Sequence, residues 1–329
     1  MSERKAEISC IADSYDPVAW RELIVRLNGN PFHLPEVWGV GADRDVLRYL
    51  VWTSDAAPVA AAVGIVEKKR LLRLLPGSVA LRLPTAPVLR DGSEVLRQDL
   101  YAALQRACAE RGIRNIVVDS RWGEPPDLAG RLGAHAEHSL VEFLVDLSRG
   151  EDAVLRAMHK KHRKNLRLAQ EAGLEVVEDA TLKAFLSVRE MQQSSAERSS
   201  EKGNRYAIQD ERFYRESFEA IYRDGPGRVL FARKDGEVVA ALAYLEFGGK
   251  AVTVRSGSTV VGYETSAMYL LQYELIRRLA QRGFSELNIG GVPVEAAEDS
   301  HPQHGLYNYK RNYGGMPRAC AGFTCNIAS

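Results

Sequence analysis

The feature that most constrains the fold of this chain is a repetition within it. The stretch from Arg48 to Ala61 aligns with the stretch from Arg228 to Ala241, and in each an Asp (Asp55, Asp235) stands between two apolar runs. Both read as a strand, a tight turn and a second strand of small apolar residues. Further on, Leu104 to Ile116 aligns with Leu275 to Leu287; each is an amphipathic helical pattern closed by Arg-Gly (Arg111-Gly112, Arg282-Gly283) and followed by a strand. Hairpin, helix and strand therefore recur in the same order, which implies two α/β domains of one type, each a mixed sheet flanked by helices. We place them at 1–150 and 151–329. Between them, Glu151 to Gly173 reads as one helix closed by Gly173 (a joining helix over 151–172), with Leu155, Met158, Leu166 and Ala169 as its buried stripe. No Gly-, Ser- or Pro-rich linker separates the halves, so the sequence predicts closely packed domains.

That joining helix is unusual in charge. Arg156, His159, Lys160, Lys161, His162, Arg163, Lys164 and Arg167 put eight cationic or potentially cationic residues into twelve positions, in a chain whose net charge is +1. Acidic residues are nearly absent from the run, whereas a solvated helix tends to carry pairs of opposite sign. At about 1.5 Å rise per residue the patch is roughly 17 Å long, enough to meet several phosphates. The competing reading is a solvated face.

A second concentration lies at Gly305 to Gly315. Leu306, Tyr309 and Tyr313 share the i, i+3, i+7 spacing of one helical face, and Gly314-Gly315 supplies a left-handed stop. Lys310 sits beside that face with Tyr307, so its stem can pack while its ammonium looks into a cavity. Spacing alone does not separate a site from an ordinary packed helix with a snorkelling lysine.

Other chemistries lack their signatures. There is no GxSxG elbow and no P-loop, and Gly290-Gly291 lacks the rest of a dinucleotide fingerprint. His301 and His304 are separated by Pro302 with no third ligand, so neither a metal site nor a cofactor is expected. Cys10, Cys108, Cys320 and Cys325 form no CxxC pair; Cys108 in a helical pattern and Cys320 in a strand pattern read as buried free thiols. The longest apolar run, Pro58 to Val66, is too short to span a bilayer, and the charged N-terminus precedes no apolar segment; a cytoplasmic location is expected. The polar, Ser-rich stretch Gln192 to Gly203 reads as a mobile loop over a site.

Several of these segments resemble one family. Met158 to Val176, with its basic run leading into Ala, Gly and a strand, is similar to the domain-joining helix of the Fem family of peptidoglycan-bridge aminoacyltransferases. Met268 to Ile276 and Leu287 to Val292 resemble that family's second-domain core, as does Ser258. Phe32 to Trp38 resembles its opening. Gly305 to Gly315 resembles its hallmark Gly-Leu-Tyr-x-Phe-Lys-x-x-Phe-Gly-Gly. The resemblance implies two tandem GNAT-like domains, an acceptor side in the first and an aminoacyl donor side in the second. It also implies transfer of an amino acid from aminoacyl-tRNA to an amine of a peptide-like acceptor, free or bound to a carrier protein. Lys310 would then work in the acyl-transfer cleft, with Tyr307 or Tyr309 stacking on the terminal adenine. Arg156, Lys160, Lys161, Arg163, Lys164 and Arg167 would hold acceptor-stem phosphates. Arg198, Arg205 and Tyr206 would close over the acceptor, and Arg255, Ser258 and Asn288 would line the substrate.

The sequence departs from the family at four points, one being that the long helical-hairpin arm of some members has no room here. The Pro-Arg-Gly-Pro loop of members that use cell-wall precursors reads Pro84-Thr85-Ala86-Pro87 here, no Lys occurs between Trp38 and Lys68, and Asn288 replaces an Asp before Gly-Gly. These departures point away from a cell-wall acceptor and toward the branch that extends antibiotic peptides, such as nucleoside peptides of the pacidamycin type. Two other readings stay open: an acyl-CoA N-acyltransferase, and a non-catalytic module that holds RNA on the basic helix. The first would want a Gly-rich loop at a helix N-terminus, and Gly257 to Ser266 is longer and richer in hydroxyls than such a loop.

Overall fold

The computed structural model describes residues 7–12, 14–40, 46–68, 79–91, 95–200 and 207–327. The chain divides into two compact units, one of residues 1–141 with 319–329 and the other of 142–318. The last eleven residues therefore belong to the first unit, although their sequence position groups them with the second half.

In the first unit the elements run β1 (Glu7–Ala12), α1 (Pro17–Arg26), β2 (Val46–Ser54), β3 (Ala57–Lys68), β4 (Val79–Leu83), β5 (Val88–Leu89), α2 (Arg97–Ala109), β6 (Asn115–Val118), α3 (Pro126–Arg131) and the start of β7 (His135–Asp146). In the second, β7 leads into α4 (Glu151–Ala157), α5 (Lys160–Glu171), β8 (Glu175–Glu178), α6 (Leu182–Ser200), α7 (Glu211–Ser217), β9 (Gly227–Lys234), β10 (Glu237–Phe247), β11 (Lys250–Ser258), α8 (Val260–Glu264), α9 (Ala267–Gln281), β12 (Glu286–Pro293) and α10 (His304–Arg311). Strand β13 (Met316–Asn326) follows. The first unit's strands are ordered β1-β2-β3-β4-β6-β13, with β5 on β3; the second's are ordered β7-β12-β11-β10-β9-β8. Both sheets are mixed, because one neighbouring pair in each, β4–β6 and β11–β12, is parallel.

The repetition read from sequence is real in three dimensions, down to single hydrogen bonds. Both hairpins turn over two residues of positive φ, Asp55-Ala56 at 52° and 62° and Asp235-Gly236 at 52° and 83°. That is the turn whose twist suits antiparallel strands. Both then slip register by one residue, at Val59 and at Val239, which the alignment had paired. The carbonyl at each slip accepts an outside amide, from Arg90 N at 2.8 Å and from Thr259 N at 2.9 Å. Helices α2 and α9 end alike as well: Gly112 and Gly283 are left-handed (φ 68° and 77°), and the residue after each donates back to Cys108 O or Leu279 O at 3.0 Å.

The first unit is closed by a core of Trp52, Leu81, Leu100, Tyr101, Leu104, Ile116, Val118 and Phe323. Trp52 buries its ring completely and still satisfies its indole N–H on Leu100 O at 3.0 Å. Cys108, Cys320 and Cys325 are buried free thiols; burial pushes Cys108 up to about 12. No helix among the described residues is long and apolar enough to cross a membrane.

Two elements differ from the sequence reading. The joining helix is two helices, α4 and α5, because Met158 and His159 are extended (ψ 135° and 144°). The break is stabilised from both sides. His159 Nδ1 caps α5 by accepting from Lys161 N at 3.3 Å, and Arg163 donates to the freed carbonyls of Met158 and Arg156 at 2.5 and 3.2 Å. The Ser-rich stretch is helical through Ser200, as the last part of α6. The helix packs closely on β11: a side chain at Gly257 would collide with the backbone at Met191 and Gln192, and Ser195 Oγ accepts from Ser258 N at 3.0 Å. Residues 201–203, the rest of that stretch, lie outside the described residues.

Candidate active site

The site is built where β11 and β12 part. They pair in parallel through Lys250↔Glu286, Ala251↔Leu287 and Val252↔Asn288, yet β11 continues to Ser258 and β12 to Pro293. Just past the last pair the chain makes a turn that only glycine adopts without strain. Gly290 has φ +80°, and its amide donates to Asn288 Oδ1 at 2.7 Å. Asn288 is fully buried, and its Nδ2 meets no acceptor among the described residues, so one buried amide donor is left over beside the turn.

Helix α10 delivers a cation to this spot. The Lys310 ammonium donates to Gly291 O at 3.1 Å, and a Cβ at Gly290 would stand 2.9 Å from it. Glycine at 290 thus serves both the backbone turn and the approach of the ammonium. Burial lowers Lys310 to about 8 from the ordinary lysine value, with the carboxylate of Glu142 acting in the opposite direction. Glu142 is itself buried and paired with Arg318 at 2.7 Å. A lysine near 8 is mostly charged at neutral pH but poorly solvated, the condition in which a cation acts strongly on charge developing nearby.

Around α10 lies an aromatic cluster. Tyr313 is fully buried; its hydroxyl donates to the Tyr309 hydroxyl at 3.1 Å, and the two rings meet at 5.2 Å. Tyr269 of α9 and His162 of α5 complete the group. Burial pushes both Tyr309 and Tyr313 above the ordinary tyrosine range. On the other flank Tyr307 packs edge-on against Phe143 at 5.3 Å and stacks with His304 at 6.3 Å.

Helix α5 presents two chemically different faces. His162, Leu166 and Ala169 point inward. Lys160, Lys161, Arg163, Lys164 and Arg167 are exposed, as is Arg156 on α4, and none of the six forms an ion pair among the described residues. A cavity of about 270 Å³ lined by Phe185, Phe218, Tyr222, Arg223, Asp224 and Arg228 among others lies near the start of β9; it shares no residue with the Lys310 cluster.

Comparison with known proteins gives this geometry a context. Residues 156–311, from the basic segment through α10, match the family model described as an acetyltransferase (GNAT) domain. The crystal structure of FemX is similar over 95% of this chain and 96% of its own, with a TM-score of 0.76 at 12% identity. A tandem GNAT protein from the clavulanic acid biosynthesis pathway is similar over 99% of both chains (TM-score 0.54, 16% identity). The fold is a tandem GNAT fold. The C-terminal domain of a putative lysylphosphatidylglycerol synthetase from Agrobacterium fabrum is also similar, over 94% of this chain and 92% of that one (TM-score 0.54, 16% identity). No curated protein matches the sequence significantly. The GNAT-domain match and the Fem-like tandem GNAT fold support acyl transfer as the general chemistry.

Within this fold the residues singled out from sequence separate into groups. Lys310, Asn288 and Tyr307 are brought to β12 and α10, with Tyr309 beside them, its ring packed against His162, Tyr269 and Tyr313. Leu306, read as part of the buried face, is 43% exposed. Arg198 and Ser258 meet each other: Arg198 donates to Ser258 O and Oγ at 2.5 and 3.2 Å and to Ser194 and Ser195, so it ties α6 to β11 rather than standing free over a substrate. Arg255 lies over Phe213 and Tyr214, at 5.1 and 5.4 Å from the ring centroids. Arg205 and Tyr206 lie outside the described residues. Glu142 and Tyr269 were missed, since nothing in their local sequence marks them. His162 was counted with the cationic patch, although its spacing to Leu166 and Ala169 (i, i+4, i+7) already places it on the inner face.

Proposed function

We propose that this protein transfers an amino acid from aminoacyl-tRNA to an amine of a peptide or peptide-like acceptor. One observation carries the reading: a desolvated Lys310 at the parting of β11 and β12 belongs to the same unit as an exposed cationic helix that meets no carboxylate partner among the described residues. The first suits charge developing at an acyl centre; the second suits a phosphate backbone.

An aminoacyl ester is already activated, so the acceptor amine attacks its carbonyl directly. The C–N bond forms, the C–O bond to the ribose breaks, and the amine's proton passes to the departing ribose oxygen, with the neighbouring ribose hydroxyl as relay. Lys310 stabilises the oxyanion or the adjacent 3′-terminal phosphate, and Asn288, fully buried, holds the Gly290 turn beside it through the Gly290 amide. The exposed cations Arg156, Lys160, Lys161, Arg163, Lys164 and Arg167 hold the acceptor stem. The donor side thus falls to the second unit and the acceptor side to the first. Segment Pro84–Pro87 of that first unit is buried and has no cationic side chain, which favours a peptide acceptor over a nucleotide-linked cell-wall precursor.

The second reading, an acyl-CoA N-acyltransferase, is favoured by the acetyltransferase description of the matched domain. A diphosphate would need free amides ahead of α9. There the chain instead forms the extra turn α8; the Gly262 amide is taken by Thr259 Oγ1 at 3.1 Å, and Thr265 N and Ser266 N by Val261 O and Tyr263 O, while the first amides of α9 itself carry no side-chain cap. Charged tRNA and acyl-CoA, each offered with an amine acceptor, distinguish the readings. Transfer from charged tRNA that is abolished by ribonuclease is expected, and transfer that survives complete RNA digestion would sink the proposal.

A further inference from the structure

His162 is the one member of the cationic run that turns inward, and what it touches is the helix that carries Lys310. It is 2% exposed, and its Nε2–H donates to Tyr309 O at 2.8 Å. Tyr269 and Tyr313 stand edge-on to the imidazole at 4.8 and 4.7 Å, and Tyr309 lies at 5.5 Å, so the ring has little lateral freedom. Burial lowers His162 below the ordinary histidine value, which keeps it neutral, and Nδ1 meets no donor among the described residues. Its hydrogen bonding is thus directed to one acceptor.

That acceptor is open for a structural reason. Tyr313 N donates to Lys310 O rather than to Tyr309 O, so α10 ends one residue early and the Tyr309 carbonyl has no partner within the helix. A second bond from the same source, His159 N to Asn312 O at 2.9 Å, caps the carbonyl two residues beyond Lys310. The start of α5 therefore closes the end of α10 on both sides of the lysine. Lys161 and Arg163, the immediate neighbours of His162, stand about 100° to either side of it on the helix and are exposed.

We propose that His162 is a positioning residue that couples the cationic face of α5 to the Lys310 ammonium. Its hold on α10 stands on the geometry alone. The coupling to a bound phosphate backbone rests on the tRNA reading above.

The test follows the Lys310 side chain by ε-¹³C lysine NMR in the wild type, His162→Gln and His162→Leu. Gln keeps an amide donor within reach of Tyr309 O, and Leu removes it. Without RNA, Lys310 is expected to titrate near 8 in the wild type and in His162→Gln. In His162→Leu, where water reaches the ammonium, it is expected about one pH unit or more higher. An unchanged titration in a folded His162→Leu protein overturns the positioning role. Adding a short RNA hairpin with a single-stranded 3′ end is expected to move the Lys310 signal in the first two proteins. In His162→Leu it is expected to bind within about threefold of wild-type affinity yet leave that signal in place. A Lys310 response retained in His162→Leu overturns the coupling. Should His162→Leu not fold, His162→Phe, which fills the aromatic pocket without a donor for Tyr309 O, takes its place, and an unchanged Lys310 titration in that protein overturns the positioning role. Failure of every protein to bind the hairpin counts against the tRNA reading, while the RNA-free titration still judges the hold of His162 on α10.

Discussion

The two units run the same strand–helix–strand program and end it in opposite ways. In the first, β4 and β6 pair through Leu83↔Val118, Asp119 N donates on to Leu83 O at 2.9 Å, and the Asp119 carboxylate takes Arg82 at 2.6 Å. The sequence alignment places Gly290 where Asp119 stands. In the second unit the pairing stops one step earlier, at Val252↔Asn288, and Gly290 leaves room for the ammonium of Lys310. One copy seals the end of its parallel pair with a side chain, and the other opens it for a cation. Where Lys310 enters, the second copy has no carboxylate, no Cβ and one rung of pairing fewer than the first.

The largest expected effect comes from removing the cation that the open copy accommodates. Lys310→Ala is expected to lower the transfer rate about 10²- to 10³-fold, the range for loss of one preorganised charge donor. Lys310→Met sharpens the point, because activity and stability should move in opposite directions. Lys310 has a lowered folded-state pKa, so the folded state binds fewer protons than the unfolded chain between about 8 and the ordinary lysine value, and stability rises with pH across that window. Below it the buried charge is a cost, which Lys310→Met removes; a gain of up to about 3 kcal/mol at pH 7 is expected by urea denaturation. A Met variant that loses both activity and stability would make Lys310 a packing residue. Activity that depends on the ammonium should fall as pH rises through about 8, and Lys310→Arg should move that limb upward.

Next in size is the outer face of α5. Replacing Lys160, Lys161 and Lys164 together by Glu should leave the thermal midpoint nearly unchanged, since these exposed side chains have no ion-pair partners among the described residues to lose. The slope of log affinity for charged tRNA against log salt should fall by about one for each phosphate contact removed. An unchanged slope would return the patch to a solvated face.

The alignment that pairs Asp119 with Gly290 can be probed directly. Gly290→Ala must place an alanine at φ +80° with its Cβ against the Lys310 ammonium; about 1–2 kcal/mol of stability and at least tenfold in rate are expected to go together. Asp119→Asn breaks an ion pair whose partners are each about a quarter to a third exposed, and should cost about 1 kcal/mol or less with no loss of rate. Equal effects on rate would mean that the two strand ends are not functionally distinct.

How much of this could be read from the sequence follows from which interactions are local. The hairpins, the Arg-Gly helix stops and the duplication are set by turn chemistry and apolar periodicity, and they were legible. Lys310 was legible as a position; its environment was not, because Gly291 and Glu142 reach it from β12 and β7. The break at Met158–His159 has no Pro or Gly to announce it. His159 N bonds to Asn312 O and Arg163 caps the broken end, so tertiary partners override a good helical pattern. The Ser-rich end of α6 misled for a similar reason: small hydroxylated residues suit a loop, and equally suit a helix pressed against Gly257.

The smallest effect tests the duplication rather than the site. Both hairpin turns need positive φ at their second residue, and the first unit supplies Ala56 at 62° where the second supplies Gly236 at 83°. An L-residue pays about 1–2 kcal/mol there, partly offset by the greater freedom of glycine in the unfolded chain. Ala56→Gly is therefore expected to stabilise the protein by roughly 0.5–1 kcal/mol. Gly236→Ala should destabilise it by about 1 kcal/mol or more, through backbone strain alone, since a Cβ there meets nothing within 4 Å. Neither should alter the transfer rate, because neither turn contributes a residue to the Lys310 cluster. Opposite signs in chemical denaturation would show that the two turns share one backbone geometry with one chain bearing the strain. A destabilising Ala56→Gly would mean that the first hairpin turns differently from the second, and the one-to-one correspondence at Val59 and Val239 would lose its basis.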